Sequence, residues 1–357
     1  MIIGLLKEIK TEEYRVGLAP MGVKELVKHG HKVLVENNAG TGSTFADTFY
    51  KECGAEIVSR EYIFESAELI VKVKEPQSSE IAMMKPGQIV FTFFHFASNP
   101  EMARALASKK VTCIAYELIE ENGIWPILKP MSEIAGKLSI QQGMKYLEKE
   151  YGGKGVLLMG TETVPPGRVV VLGGGVVGSC ASDVAISLNA KLTIIEKSPE
   201  KREFLKKKFP GCSVMEAKRD IILECCQKAD IIVGAVLIPG HRPPILIRKS
   251  DLEVLEKGTV LVDVSIDEGG VFETSRPTTH KEPIFIDSGI VHYCVPNMPG
   301  IVPKTSTIAL SFATMPYLRI LADKGESALK ENLALKSGCA ILRGDVIHPA
   351  IKEIVNS

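Results

Sequence analysis

Residues 168–178 read RVVVLGGGVVG, an apolar run that breaks into Gly173-Gly174-Gly175-Val176-Val177-Gly178 and continues as SCASDVAISLNA. No other stretch restricts the fold as tightly. A strand must end at Leu172 and a helix must begin within a few residues. Gly173 permits the tight turn, Gly175 lets the backbone approach a pyrophosphate, and Gly178 lets the helix pack closely on the strand. The helix start then offers unpaired N–H groups and partial positive charge to phosphates. Val177 lies in that first turn. Glu196 ends the next apolar run, KLTIIE, 18 residues beyond Gly178. A carboxylate there can accept ribose hydroxyls and repel a 2′-phosphate, which favours NAD. Lys197, Lys201, Lys218 and Arg219 could supply compensating charge and leave NADP open.

The turn opens one of two series of short apolar runs separated by amphipathic segments. The second series is GRVVVL, KLTIIE, ADIIVGAVL, GTVLVDVSID, PIFIDSG and VHYCV. The first runs from MIIGLL through HKVLVE, ELIVKV and QIVFTFF to VTCIAYE. Alternation of this kind predicts two doubly wound, mostly parallel α/β sheets, each Rossmann-like. A chain of 357 residues exceeds the usual span of a single core, in keeping with two domains. Long helices are expected around SEIAGKLSIQQGMKYLEKE and TSTIALSFATMPYLRILADKG, the second kinked or ended by Pro316. The expected domains are residues 1–127 with 303–357, the first domain being discontinuous, and residues 128–302 as the nucleotide-binding domain.

Lys plus Arg equals Asp plus Glu at 43 each, which argues against nucleic acid or an anionic membrane as the main partner. The eight cysteines form no CxxC pair, and several sit in apolar runs as small core residues; no metal site is expected. MIIGLLKEIK has the pattern of neither a signal peptide nor a membrane span, so a cytoplasmic location is expected.

Ligands of doubly wound sheets bind beyond the carboxyl ends of the strands. In the second series that rule selects Val236 and Leu237, Asp267, and Asn297 and Met298; for Val236 and Leu237, plain core packing is the ordinary alternative, and the sequence pattern leaves it open. In the first it selects Arg15, Lys74 and His95. Arg15 can clamp a carboxylate through two parallel hydrogen bonds. Lys74 can polarise a carbonyl, and His95 can exchange a proton near neutral pH. Each has an ordinary alternative: Arg15 a surface ion pair, Lys74 a partner for Glu75, His95 a core histidine.

The stretches EYRVGLAP, VKVKEP, FTFFHFA, PMSEIAGKLSIQQG, VVVLGGGVVG, GAVLIPG, VDVSIDEGGVFETSRPTTH and HYCVPNMPGIVPKTST together resemble the alanine dehydrogenase family, which shares ancestry with the transhydrogenase alpha chain. They occur in family order from Arg15 to about Pro316. The resemblance implies NAD-dependent, reversible oxidative deamination of L-alanine to pyruvate and ammonium. It implies that His95 and Asp267 are catalytic and meet across an interdomain cleft, and that Arg15, Lys74 and Asn297 bind substrate. Ser132, Glu196, Lys201, Val236, Leu237, Ile266, Asp267, Asn297 and Met298 match cofactor-contacting positions, and the assembly implied is a homohexamer. The chain departs from the family at Glu196, where Asp is usual, and at Ala217-Lys218-Arg219, where serines are common. Glu268 replaces a frequent Gln, and Phe94 and Phe96 replace aliphatic residues. The alternatives are a dehydrogenase of another small amino acid or a 2-hydroxy acid, and a non-catalytic nucleotide-binding module like the transhydrogenase alpha chain.

Overall fold

The computed structural model describes residues 1–96, 99–237 and 242–356, so the ends of the FTFFHFA and GAVLIPG motifs fall outside the described residues. The chain divides into two compact units, Met1–Met131 with Gly300–Ser357, and Ser132–Pro299. The boundary after Met131 falls inside the helix Leu128–Tyr146.

In chain order the strands of the first, split unit are β1 (Ile2–Leu5), β2 (Lys32–Glu36), β3 (Glu56–Val58), β4 (Leu69–Val71), β5 (Ile89–Thr92) and β6 (Thr112–Ala115). Those of the central unit are β7 (Arg168–Leu172), β8 (Lys191–Glu196), β9 (Ser213–Glu216), β10 (Ile231–Gly234), β11 (Val260–Asp263), β12 (Ile284–Asp287) and β13 (Ile290–Tyr293). The chain then returns to the split unit with β14 (Cys339–Leu342) and β15 (Asp345–Val346).

The split unit's sheet runs β15-β14-β6-β5-β4-β1-β2-β3, and the central unit's runs β12-β13-β11-β10-β7-β8-β9. Both are therefore doubly wound, with the strand order reversing between β1 and β4 in one and between β7 and β10 in the other. At such a switch point the loops beyond adjacent strands diverge and leave a crevice. β-Branched and aliphatic runs such as Val169-Val170-Val171-Leu172 suit strands covered on both faces, and those residues are almost wholly buried. Leu6, Ile70, Val90, Phe94 and Phe96 belong to the split unit's core, and Leu172, Ile232, Leu261 and Phe272 to the central unit's.

The structure differs from the sequence expectation in three places. PIFIDSG supplies β12, which pairs antiparallel with β13 at the sheet edge. VDVSID leaves the sheet at Asp263, so Asp267 lies in the short 3-10 turn Ile266–Glu268, not at the strand end. Pro316 does not end its helix, which runs unbroken over Pro303–Lys324. Pro316 and Phe312, one turn earlier, both face water, so the carbonyl that loses its amide partner can be hydrated.

Candidate active site

In the split unit, Arg15 and Lys74 lie beyond the two switch-point strands, β1 and β4, and His95 lies beyond the adjacent β5. Arg15 lies on the loop after β1 and is buried, not on the surface. Glu13 takes its side edge in bidentate fashion, with Nε and Nη2 each 2.6 Å from a carboxylate oxygen. The Arg15 amide also donates to Glu13 at 3.1 Å, and Nη1 points to Met131 Sδ at 3.3 Å. Burial opposes ionisation of Glu13, but the Arg15 guanidinium, its hydrogen bonds and the charge of Lys74 outweigh it. The carboxyl is held down at about 2. A guanidinium fixed along one edge is oriented before any ligand arrives.

Lys74 follows β4. The amides of Val73 and Lys74 donate to Glu8 Oε1 at 2.6 and 3.3 Å, and Thr92 Oγ1 donates to the Lys74 carbonyl at 3.0 Å. Beneath this loop, buried Lys72 bridges Glu8 at 3.0 Å and Glu80 at 2.8 Å. Burial works against the Lys72 charge, but the two carboxylates outweigh it and raise its pKa. Glu75 pairs with Lys10 at 2.5 Å.

His95 follows β5 and is exposed, not a core histidine. Its φ of 51° is left-handed, a conformation uncommon for a residue with a Cβ. Glu117, just beyond β6, holds it there: the His95 amide donates at 2.7 Å and the Phe94 amide at 3.2 Å. Successive amides converging on one carboxylate form an anion-binding nest, filled here from within the chain. The imidazole stacks on Phe93 at 5.7 Å, and Phe93 meets the edge of Tyr116 at 5.0 Å.

The central unit carries the glycine turn. Gly173 has φ 102°, and a Cβ on Gly178 would come within 1.8 Å of the Gly173 carbonyl. A Cβ on Gly175 would meet nothing within 4 Å, so the turn has room on that side. The helix Val176–Ser187 starts without a side-chain cap, leaving its first amides available to an anion. Val177 lies in its first turn, and a Cβ on Gly136 would meet the Val177 carbonyl at 2.2 Å, so this helix touches the helix that carries Ser132. Glu196 ends β8 with both oxygens anchored, by the Gly174 amide at 2.8 Å and the Ser198 amide at 2.9 Å. Lys201 stands in the first turn of the helix Pro199–Lys208.

Two of the four cations that could have favoured a 2′-phosphate are engaged with carboxylates of the chain. Lys218 pairs with Glu216 at 2.7 Å and Arg219 with Asp251 at 2.5 Å. Beyond β10, Val236 is half-buried and Leu237 exposed, so Leu237 is not core. Ile266 and Met298 are buried beside exposed Asp267 and half-buried Asn297. The Asn297 amide points to Asp267 Oδ2 at 3.4 Å, which brings these two loops together.

Sequence reasoning missed Glu8, Glu13 and Glu117. Glu117 ends VTCIAYE, so the strand-end rule that selected His95 could have found it. Glu13 stands two residues before Arg15, a spacing at which an extended chain puts both side chains on one face. Among the described residues there is no cluster able to hold a metal ion, and no helix is long and apolar enough to cross a membrane.

The N-terminal domain family of alanine dehydrogenase/PNT matches residues 4–135, and the corresponding C-terminal domain family matches residues 139–349. The chain is 44% identical to an alanine dehydrogenase of Halomonas elongata, covering 99% of this chain and 96% of that one. It is equally similar to an alanine dehydrogenase of Staphylococcus haemolyticus, with the same coverage. A solved L-alanine dehydrogenase superposes with a TM-score of 0.97 at 43% identity, over 100% of this chain and 99% of that one. The transhydrogenase of Sinorhizobium meliloti shares the fold, with a TM-score of 0.85 at 24% identity over 98% of this chain and 100% of that one.

Proposed function

From the premise that this chain belongs to the alanine dehydrogenase/PNT family, we propose that it catalyses the reversible, NAD-dependent oxidative deamination of L-alanine to pyruvate and ammonium. The observation that carries this reading is the 44% identity to alanine dehydrogenases over 99% of the chain.

The residues present fit a dinucleotide. The roomy turn at Gly175 and the uncapped helix start would hold the pyrophosphate, and the anchored Glu196 carboxylate would take ribose hydroxyls. Ser132, Val177, Lys201, Val236, Leu237, Ile266 and Met298 are the further contacts we assign to it. When bound, NAD supplies the acceptor for the hydride that leaves the alanine α-carbon.

Arg15, oriented by Glu13, binds the substrate carboxylate, and Lys74 binds its second oxygen or the carbonyl. Holding the substrate by two fixed cations makes the chemical step effectively unimolecular. Water adds to the imine carbon to give a carbinolamine, which collapses to pyruvate and ammonia. His95 takes the proton from the oxygen as the carbonyl forms and returns it in the reverse direction. Asp267, with Asn297, orients the amine and stabilises positive charge on nitrogen. The eight free cysteines suit the reducing cytoplasm, where we place the reaction. The assembly we propose is a homohexamer, on family resemblance, and light scattering that returns a monomer at working concentration would remove it.

The test is NADH oxidation against a panel of 2-oxo acids, with and without ammonium. Pyruvate turnover that requires ammonium supports the reading. Ammonium-independent turnover would make the chain a 2-hydroxy-acid dehydrogenase. Tight NADH binding with no turnover of any 2-oxo acid would make it a nucleotide-binding module.

A further inference from the structure

Asp263 ends β11 with no exposure to solvent, and hydrogen-bond donors rather than a cation surround it. Its Oδ1 accepts from the Ser265 amide at 3.1 Å. Its Oδ2 accepts from the Val271 amide at 3.0 Å and from Ser275 Oγ at 2.5 Å, and the Phe272 amide approaches at 3.5 Å. These donors bracket the loop that carries Ile266 and Asp267, so the carboxylate draws both ends of that loop to one point. Gly270, at φ 78°, lies so close that a Cβ there would stand 2.6 Å from Oδ2.

The network reaches two further loops through its own donors. Ser265 Oγ accepts from the Val236 amide at 3.1 Å and donates to the Val236 carbonyl at 2.9 Å, pinning the segment beyond β10 that carries Val236 and Leu237. On the other side, Cys294 Sγ donates to Ser275 Oγ at 3.6 Å, three residues before Asn297. Every partner is a neutral group of fixed geometry. Such a hub sets loop register without adding a charge pair that a ligand could disturb.

We propose that Asp263 is a positioning residue that holds in register the three loops bearing Val236, Asp267 and Asn297, and so assembles the nicotinamide side of the site. The proposal rests on the NAD-dependent reading above, but none of the residues in the hub is assigned a contact with substrate. The phosphate turn at Gly173–Gly178 and Glu196 receive no hydrogen bond from it, which gives a selective prediction. Loss of Asp263 should weaken what recognises the nicotinamide half and spare what recognises the adenosine half.

The experiment compares Asp263→Asn and Asp263→Ala with the wild type in calorimetric titrations with NADH and with ADP-ribose, and in steady-state pyruvate turnover with ammonium. We expect kcat to fall at least about tenfold, in line with the sensitivity of oriented reactions to small displacements. NADH affinity should drop toward that of ADP-ribose, with ADP-ribose affinity kept within about twofold, a change under 0.5 kcal/mol. Equal losses for both ligands would reduce Asp263 to a general fold determinant, and unchanged NADH affinity and kcat would leave it no role in the site; either overturns the proposal. If neither Asp263 variant folds, Ser265→Ala decides between the same outcomes, because it cuts only the link to Val236. A wild type that binds NADH but turns over pyruvate without ammonium would instead refute the proposed reaction, and the ligand comparison would still judge the hub.

Discussion

The split unit and the central unit share the strand order around their switch points but support their candidate side chains by different means. Around β1 and β4 the work is done by buried charge: Glu13 on Arg15, and Glu8 with Glu80 on Lys72 beneath the Lys74 loop; beyond β5 backbone amides bonded to Glu117 hold His95. Around β7, β10 and β11 it is done by backbone shape and neutral donors: the glycine turn, Ser265 and Ser275. The contrast suits the ligands proposed above for each set. A small carboxylate offers almost nothing but charge, so its receptors must be cations held rigidly against desolvation. A dinucleotide offers length, so many weak contacts from backbone and hydroxyl groups suffice.

The comparison breaks most decisively at His95. Replacing it with Ala should cost at least about 10²–10⁴-fold in turnover, the usual size of an acid–base contribution, while NADH affinity stays near wild type. Asp267→Asn keeps the shape and removes the charge, and should lower the rate in both directions. Steady-state rates set beside NADH titrations check both. A His95→Ala enzyme with more than about a tenth of wild-type turnover would show that charge and proton transfer in the split unit are not what drives the reaction.

Removing a buried partner comes next. Glu13→Gln strips the counter-charge from buried Arg15, and breaking such a pair typically costs about 3–5 kcal/mol. Because the folded-state pKa of Glu13, about 2, lies below its ordinary 4.5, the pair's contribution is complete above about pH 4.5 and fades as pH falls toward about 2. Urea unfolding of both proteins across that range should show the stability gap closing at the acid end. The kcat/KM for pyruvate should fall about 10–100-fold as the guanidinium loses its fixed edge. A gap that does not vary with pH would mean that Glu13 acts by packing alone.

How far the sequence could be read follows the same division. A glycine rhythm alone can arise from packing. Between an apolar run and a helix, with Glu196 ending the next run, it marks a backbone-shaped turn, and Gly173–Gly178 forms that turn from β7 into the helix Val176–Ser187. The strand-end rule selects Arg15, Lys74 and His95; Lys74 and His95 lie just past β4 and β5, and Arg15 lies farther along the loop that follows β1. Their supports leave weaker signs, a strand-end position for Glu117 and a two-residue spacing from Arg15 for Glu13, because a carboxylate does not announce in sequence whether it faces water or a buried guanidinium. Glu13 and Glu117 look like surface residues until the chain is folded. Pro316 misled for a related reason: the cost of a missing amide depends on whether the orphaned carbonyl meets water, which spacing does not encode. Asp267 was chosen as a strand-end residue, yet it stands in a turn that Asp263 closes.

A smaller effect concerns the anchored acid of the central unit. Glu196→Gln removes the charge that opposes a 2′-phosphate but keeps an oxygen for the Gly174 or Ser198 amide. The wild type should prefer NAD over NADP in kcat/KM, and the variant should narrow that preference by about 10–100-fold, equivalent to roughly 1.4–2.8 kcal/mol. An unchanged ratio would assign selectivity to shape, and the contrast between a charged split unit and a neutral central unit would then be complete.

The smallest effect expected is at Lys218, where the sequence left cofactor choice most open. Its ammonium lies 2.7 Å from Glu216, and the neighbouring Arg219 is committed to Asp251 and to the Leu246 carbonyl. Lys218 is exposed and Glu216 only half-buried, and surface pairs of this kind hold their geometry weakly. A 2′-phosphate would nevertheless have to draw Lys218 away from a carboxylate while approaching Glu196 on the same side of the sheet, since β8 and β9 are adjacent and Glu196 is in register with Glu216. Two carboxylates stand there against the engaged Lys218 ammonium and the Arg202 guanidinium, which donates to the Glu196 and Lys197 carbonyls. Lys218→Ser should therefore change the ratio of kcat/KM for NAD and NADP by no more than about threefold, within the small range of exposed pairs. If that variant lost most of its residual NADP activity, about tenfold or more, Lys218 would be a phosphate ligand that leaves Glu216 on demand. Selectivity in the central unit would then rest on mobile charge, as in neither half of the comparison drawn above.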